Sequence, residues 1–391
     1  MSNPGLARAL LAAAARANPA SALPRTPVTT HLPTRSRRLA TACSPRKMTE
    51  TIPRSSIRVL RTVDSLRSWR EPHAREHRLV GLVPTMGALH EGHLSLVRRA
   101  ARENHHVVVS IYLNPAQFGA SEDFSSYPST WDSDVAALAK LDRELADDGA
   151  NLGRVSAVFA PPTSEMYPEG FPGQEPDSKG SFVSITPVGE VLEGRSRPTF
   201  FRGVATVCMK LFNAVRPDKV YFGQKDVQQT VVIRRLVRDF LLPIEVVVGE
   251  TVRDSDGLAQ SSRNVYLGPR RRAVAPIIAK ALRAAEEAYN SGENSRDGLL
   301  GKANIMLETE LAEQRALPPT EGSLFEVDYV SLADPETMLE IDAVDPAKGA
   351  ILSSAIKMLP VAQKRKDEDL GHHGGPPVRL IDNVMLPPRK G

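Results

Sequence analysis

Val80-Gly81-Leu82-Val83-Pro84-Thr85-Met86-Gly87-Ala88-Leu89-His90-Glu91-Gly92-His93-Leu94-Ser95-Leu96-Val97 is the stretch around which the chain is organised. It opens on a short apolar run, residues 79–83, of the kind that forms a buried strand. Pro84 and Gly87 break that strand, and from Leu89 the apolar side chains (Leu89, Leu94, Val97) fall at helical spacing. His90 and His93 therefore stand three apart where a strand feeds the first turn of a helix, and residues three apart share one helix face. A helix N-terminus carries unpaired N–H groups and the positive end of the dipole, which together favour an anion. Imidazoles there can donate hydrogen bonds to phosphate oxygens, and such bonds strengthen as charge builds on phosphorus. Two plainer readings compete. A zinc site is one, although helical zinc ligands usually stand at i, i+4 with a third ligand elsewhere; two solvated side chains are the other. The pair alone leaves all three open.

Working outward, residues 57–70 suggest a short strand and a helix, and residues 94–102 continue the helix begun above. The run 107–113 is almost continuously apolar and is ended by Asn114-Pro115. Continuous rather than alternating runs point to strands covered on both faces, as in parallel sheets. A helix over 133–145, a strand over 155–159, a helical pattern from Phe201 to Val215, a strand over 219–222, a helix over 226–240 and a strand over 244–248 follow. Cys208 falls on the apolar stripe of the 201–215 pattern and reads as core. This alternation predicts an α/β fold with a right-handed, doubly wound parallel sheet (Rossmann-like) over residues 50–250. Ligands in such folds lie outside the carboxyl ends of the strands, which here carry His90, Asn114, Gln117 and Gly223-Gln224-Lys225-Asp226. Residues 251–391 change style. Helical patterns over 269–290 and 296–313 precede strands over 326–331, 350–356 and 378–381, which predicts a smaller α+β lid domain. Residues 364–377, with Asp367, Glu368, Asp369 and the His372-His373 pair, form a polar insertion that reads as a mobile solvated loop rather than a metal site.

The chain's 391 residues, 41% of them hydrophobic, suffice for a sizeable core and two domains. Two cysteines, Cys43 and Cys208, exclude a disulfide framework and suit a reducing compartment. No apolar run reaches membrane-spanning length. The formal charge of +4 is unevenly distributed, because residues 1–49 hold seven Arg and one Lys and no acidic residue. The remainder is therefore about −4, and the high isoelectric point gives no support for nucleic-acid binding. The leader, rich in Arg, Ser, Ala and Pro with an amphipathic opening over residues 6–11, has the composition of a mitochondrial transit peptide. A disordered tail with no address, and upstream sequence skipped by a start at Met48, are the other readings of residues 1–47.

Neither G-x-x-x-x-G-K-[ST] nor G-x-G-x-x-G occurs, so neither a P-loop nor a dinucleotide fingerprint is present. The phosphate-suited groups stand elsewhere. Lys225 follows Gly223 at a strand end, where an ammonium can meet phosphate oxygens. The loop Gln260-Ser261-Ser262-Arg263-Asn264 offers hydroxyls, N–H groups and a guanidinium fork. Alone, Lys225 would be a surface charge and residues 261–264 a helix cap.

The segment Pro84 to His93 resembles the His-x-Gly-His signature of adenylyl-transferring enzymes, and residues 261–264 resemble their second, mobile loop. More broadly, residues 57–385 closely resemble the pantothenate synthetase (pantoate–β-alanine ligase) family. The resemblance runs in order through blocks 109–118, 201–204, 221–229 and 256–264. It implies ATP-driven condensation of pantoate with β-alanine through a pantoyl adenylate, releasing AMP and pyrophosphate. It implies Mg²⁺ with ATP, a homodimer, a cytoplasmic location, and no nucleic-acid or membrane partner; a working transit peptide would make the location mitochondrial. By the same resemblance His93, His90 and Lys225 are catalytic, with His93 the acid. Met86, Gly87, His90, His93, Gly223, Gln224, Lys225, Asp226 and Val252 would bind ATP, with Asp226 at the ribose and Gln260, Ser261, Ser262 and Arg263 completing the site. Gln117, Gln229 and Asn114 would bind pantoate and β-alanine. No protein metal ligand is implied. Amides suit a hydroxy acid because they both donate and accept. Two positions depart from the family, which commonly has Glu at Gln224 and His at Phe200; the stretches 145–154 and 364–377 lie outside its motifs.

A cofactor adenylyltransferase acting on a phosphate ester would share the first histidine motif but would need more cations at the acceptor, where this chain has Gln117 and Gln229. A nucleotide-binding regulator without catalysis is disfavoured because every expected catalytic position is filled. Because the leader stands outside every matched block, a chain beginning at Met48 is expected to fold and turn over like the full chain. Expression of both forms and comparison of specific activity checks this, and loss of folded, active protein on deletion contradicts it.

Overall fold

The computed structural model describes residues 50–119 and 122–389. The leader, and with it the targeting expectation, lies outside the described residues. Strand and helix alternate from the first described residue to Gly249. The elements are β1 (Glu50–Thr51), β2 (Arg58–Leu60), α1 (Val63–Arg75), β3 (Val80–Thr85), α2 (Glu91–Glu103), β4 (His106–Ile111), α3 (Trp131–Asp147) and β5 (Arg154–Phe159), then α4 (Thr163–Met166), α5 (Glu193–Ser196), α6 (Phe200–Val215), β6 (Lys219–Gly223), α7 (Val227–Asp239) and β7 (Glu245–Gly249).

These strands form one seven-stranded sheet in the order β1-β2-β5-β4-β3-β6-β7. Every pairing is parallel except that of β1 with β2, so the sheet is mixed rather than wholly parallel. A two-residue edge strand carries too little pattern to be read from sequence. The apolar strands are covered on both faces, as their continuity predicts. Leu82, Val108 and Ala157 face a cluster with helices α1, α6 and α7, while Val83, Val107, Val109 and Val158 face another with α2 and α3. Cys208 belongs to the first cluster and is 3% exposed, which bears out its reading as core. From β3 the chain winds outward through β4 and β5, then returns to lay β6 on the other side of β3. The winding reverses between β3 and β6, and the crevice at their carboxyl ends is where a ligand fits.

The remaining elements are α8 (Gly268–Val274), α9 (Ile277–Asn290), α10 (Arg296–Ala316), β8 (Phe325–Ala333), β9 (Ala350–Met358) and β10 (Val378–Leu386). The three strands form an antiparallel sheet in the order β10-β9-β8, and the helices close a separate apolar cluster over it. The single helical pattern expected over 269–290 is two helices, because Pro276 lacks the N–H that would continue α8. The polar stretch 364–377 is not the free loop expected from its composition. Arg270 pairs with Glu368 at 2.5 Å, and buried Arg271 donates to the carbonyls of Leu370 (3.2 Å) and Pro376 (2.7 Å). Among the described residues no helix is long and apolar enough to cross a membrane.

Candidate active site

The link from β3 to α2 turns sharply, with Gly87 and Ala88 both at positive φ (87° and 52°). Asp134, 3% exposed on α3, accepts from the backbone N–H groups of Ala88 (3.0 Å) and Leu89 (2.8 Å), and Thr130 donates to the same carboxylate at 3.0 Å. His90 is the N-cap of α2: its Nδ1 accepts from the N–H of Gly92 at 3.1 Å, and the Nδ1 of His93 accepts from the N–H of His90 at 3.4 Å. Two of the helix's leading amides are thus bound by its own side chains, leaving fewer free anion donors than the sequence suggests. With Nδ1 accepting in both rings, a neutral imidazole carries its proton on Nε2, leaving two Nε2–H donors. Burial pushes His90 down to about 4, with the Lys225 ammonium adding to the effect. Burial, then His90 and Lys225, push His93 down to about 3. Both rings are neutral near pH 7, with centroids 4.1 Å apart.

Across the crevice, β6 ends in a 3₁₀ turn, Gln224–Asp226, where the Lys225 ammonium lies 3.2 Å from the Asp226 carboxylate. Asn383 of β10 donates to the carbonyls of Gln224 (2.9 Å) and Lys225 (3.0 Å), fixing this turn from the second sheet. The loop 260–264 meets the first turn from the same side: Ser262 Oγ donates to the carbonyl of Ala88 at 3.0 Å. Arg263 makes a two-pronged ion pair with Asp123, at 3.0 and 2.9 Å, so its fork already holds a carboxylate. Gln260 Nε2 donates to Asp254 at 3.0 Å.

On the far wall, Gln117 ends the 3₁₀ turn Pro115–Gln117. Asn114 donates to Gln117 Oε1 (3.0 Å) and accepts from the hydroxyl of Tyr167 (2.8 Å), while Arg197 donates to the Gln117 carbonyl (2.9 Å). Arg197 also pairs with Glu122 at 2.5 Å and lays its guanidinium 3.7 Å above the ring of Phe200. The aromatic side chain at this position thus faces a cation.

One cavity of about 880 Å³, within the range of small-molecule sites, collects nearly all of the expected residues. Met86, His90, His93, Gly223, Lys225 and Asp226 line the reversal of winding; Val252, Gln260, Ser261, Ser262 and Arg263 line the loop side; Gln117 and Gln229 line the wall opposite. Three expected residues do not line it. Gly87 is buried beside Asp134, Asn114 is 1% exposed with its amide engaged as above, and Gln224 turns toward Asn383 at 3.4 Å. The sequence reading missed Asp134, Asp123, Arg197 and Asn383, each of which acts on a site residue far away along the chain. Among the described residues no group of three or more His, Cys, Asp or Glu side chains could hold a metal ion. The cavity's Glu122, Asp123, Asp226 and Asp382 each have a cation within 3.2 Å instead.

A family model described as pantoate-beta-alanine ligase matches residues 58–385. Pantothenate synthetase of Roseiflexus castenholzii is 44% identical over 327 residues, 84% of this chain and 99% of that protein. Pantoate–β-alanine ligase of Saccharomyces cerevisiae is 37% identical over 336 residues, covering 84% of this chain and all of that one. Among solved structures, pantothenate synthetase from Thermus thermophilus superposes with a TM-score of 0.65 at 38% identity, covering 84% of this chain and 99% of that one. The Francisella tularensis pantoate-beta-alanine ligase, complexed with beta-gamma ATP and beta-alanine, gives a TM-score of 0.58 at 27% identity, covering 84% and 97%.

The buried imidazoles predict a pH effect on stability. Unfolded histidines protonate near about pH 6.5, whereas His90 and His93 stay neutral to about 4 and about 3. In that window the unfolded chain binds more protons, so stability falls as pH falls. His93→Gln should therefore show a smaller drop in Tm between about pH 7 and about pH 5 than the parent chain. The slope that remains belongs in part to His106, which burial pushes down to about 4. Thermal melts across this pH range check it, and equal slopes contradict it.

Proposed function

The chain belongs to the pantoate–β-alanine ligase family, and from that membership we propose that it condenses pantoate with β-alanine at the expense of ATP through a pantoyl adenylate. The observation that carries this reading is one cavity pairing neutral imidazole donors and Lys225 with the amides of Gln117 and Gln229 opposite. The first set suits a polyphosphate, the second a hydroxy acid. In the first step a pantoate carboxylate oxygen attacks the α-phosphorus, and pyrophosphate leaves. In the second the β-alanine amine attacks the acyl carbon of the mixed anhydride, AMP leaves with the bonding pair, and the amine's proton is lost.

A carboxylate needs no base, so the protein's work is positioning and stabilising charge on phosphate oxygens. His90 and His93 are assigned to that charge as Nε2–H donors. The depressed basicity of His93 supports hydrogen bonding to phosphate rather than the acid role that family resemblance implies. Lys225 is assigned to the phosphates, Asp226 to the ribose, and Gln117 and Gln229 to the acid and amine. Gly223, Val252 and the 260–263 loop would complete the nucleotide site. Magnesium enters with the nucleotide as the substrate MgATP; the paired carboxylates of the cavity do not form a protein-built cage for it, and Mg²⁺ typically keeps several waters and phosphate ligands. Residues 251–391 would act as a lid over 50–250, keeping the adenylate from water. Family membership also carries the expectation of a homodimer.

Pantoate and MgATP alone should exchange labelled pyrophosphate into ATP without β-alanine. Exchange that needs β-alanine defeats the two-step route; exchange indifferent to pantoate points to a phosphate-ester adenylyltransferase. Lys225→Ala should lower kcat by about a hundredfold or more while leaving Tm nearly unchanged, as for other preorganised charge-stabilising groups. Near-normal turnover in a folded variant removes Lys225 from the mechanism.

A further inference from the structure

The stretch 364–377 lies outside the family's motifs, yet it is built against the loop assigned to the nucleotide. That loop runs from Ser261 through the 3₁₀ turn Ser262–Tyr266 directly into α8. Two consecutive arginines on α8 grip the insertion at its two ends. Arg270, with 9% of its side chain exposed, pairs with Glu368 at 2.5 Å and donates to the carbonyl of Gln363 at 3.0 Å. Arg270 and the backbone N–H of Arg365 hold the Glu368 carboxyl down to about 2. Arg271 is 1% exposed and makes no ion pair among the described residues; its guanidinium donates only to carbonyls. Two of these, Tyr266 and Leu267, close the nucleotide loop, and two, Leu370 and Pro376, belong to the insertion. One buried guanidinium thus ties both segments by four bonds, which an ammonium, with three N–H donors on one nitrogen, could not reproduce.

The two backbones also touch where neither residue has a side chain. A Cβ on Gly268 (φ 59°) would stand 2.6 Å from the carbonyl carbon of Leu370, and one on Gly371 (φ 87°) would stand 2.5 Å from the carbonyl oxygen of Tyr266. Beyond this contact the insertion ends at Pro376 and Pro377, which line the cavity.

We propose that the insertion 364–377, held by Arg270 and Arg271, positions the 261–266 loop and so sets the affinity for the nucleotide, with Glu368 and Gly371 as positioning residues that touch no substrate. This rests on the assignment of that loop to ATP. The bonds that tie the insertion to Arg270 and Arg271 fall on α8 and the 261–266 loop and none reaches Gln117 or Gln229, so the effect is expected on ATP before the other substrates.

The test uses the full-chain enzyme and two variants acting through different atoms, Glu368→Ala at the ion pair and Gly371→Ala at the backbone contact. Each should raise the calorimetric Kd and the KM for ATP, measured with Mg²⁺, between about twofold and thirtyfold, the range for residues that couple to a site without touching it. In Glu368→Ala, kcat at saturating ATP and the KM for pantoate should stay within about twofold, because the acid side of the cavity is untouched. Glu368→Asp, which keeps the carboxylate, should recover most of the affinity. An unchanged ATP Kd in folded Glu368→Ala overturns the proposal. So does an equal rise in KM for all three substrates, which would mean general loosening. Parent enzyme without pantoate-dependent turnover would overturn the ligase reading instead, while the ATP Kd comparison would still decide the role of the insertion.

Discussion

Where β3 gives way to α2, a run of backbone N–H groups is left without partners inside the helix, and the remainder of the site follows from how they are satisfied. Asp134 takes Ala88 and Leu89, His93 takes His90, and His90 takes Gly92. The consequence is chemical. Each imidazole that accepts through Nδ1 must present its proton on Nε2, so the cap that stabilises the helix also fixes the tautomer of the two donors. Burial then removes their charge. A helix N-terminus that would have offered mainly backbone amides thus also offers two oriented, neutral ring N–H groups.

The second sheet is tied to this arrangement at the turns it must hold still. Asn383 fixes the Gln224 and Lys225 carbonyls, Ser262 reaches the Ala88 carbonyl, and Tyr266 donates to the Ser126 carbonyl at 2.9 Å. These contacts join β10 and the loop 260–266 to both lips of the crevice between β3 and β6. The Arg263–Asp123 pair does the same with charge. If Arg263 meets the phosphates in the proposed reaction, the nucleotide must compete with Asp123 for the fork. Its arrival would then be coupled to a rearrangement of the loop.

What the sequence made legible was whatever depends on neighbours along the chain. The strand at residues 79–83 and the strand–helix alternation of a doubly wound sheet came from periodicity, whereas the strand order that reverses between β3 and β6 is seen only in the structure. The first turn of α2 falls where the sequence placed the two histidines, but a histidine is not among the usual N-cap residues, so nothing local announced that His90 is the cap. Asp134 lies 45 and 46 positions from the amides it holds, and Arg271 acts across 99 and 105 positions; no spacing rule reaches that far. Composition read 364–377 as solvated, and most of it is exposed, but composition could not show the two arginines that anchor it. The assignments of Gln117 and Gln229 came from family resemblance and not from pattern, since an amide carries no periodic signature.

The cavity's charge is arranged to discriminate. Glu122 and Glu193 are joined through Arg197, Glu193 also meets Arg379, and Asp382 lies 2.6 Å from Arg253, so these acidic groups are paired with cations before a substrate enters. In the proposed reaction an incoming carboxylate then meets the amides of Gln117 and Gln229 beside carboxylates already held by cations. Around the first turn of α2 the ammonium of Lys225 is partly offset by adjacent Asp226 and the Arg263 fork by Asp123, while the two histidine donors are uncharged rings. In the proposed reaction this has a direct kinetic sense. A full positive charge grips a polyphosphate in the ground state as well as later, which tightens binding without speeding chemistry. A neutral, preorganised N–H donor binds the ground state weakly and strengthens as negative charge moves onto the oxygens it faces. Depressing the basicity of both histidines therefore shifts their contribution from holding the nucleotide toward the step in which its phosphorus is attacked.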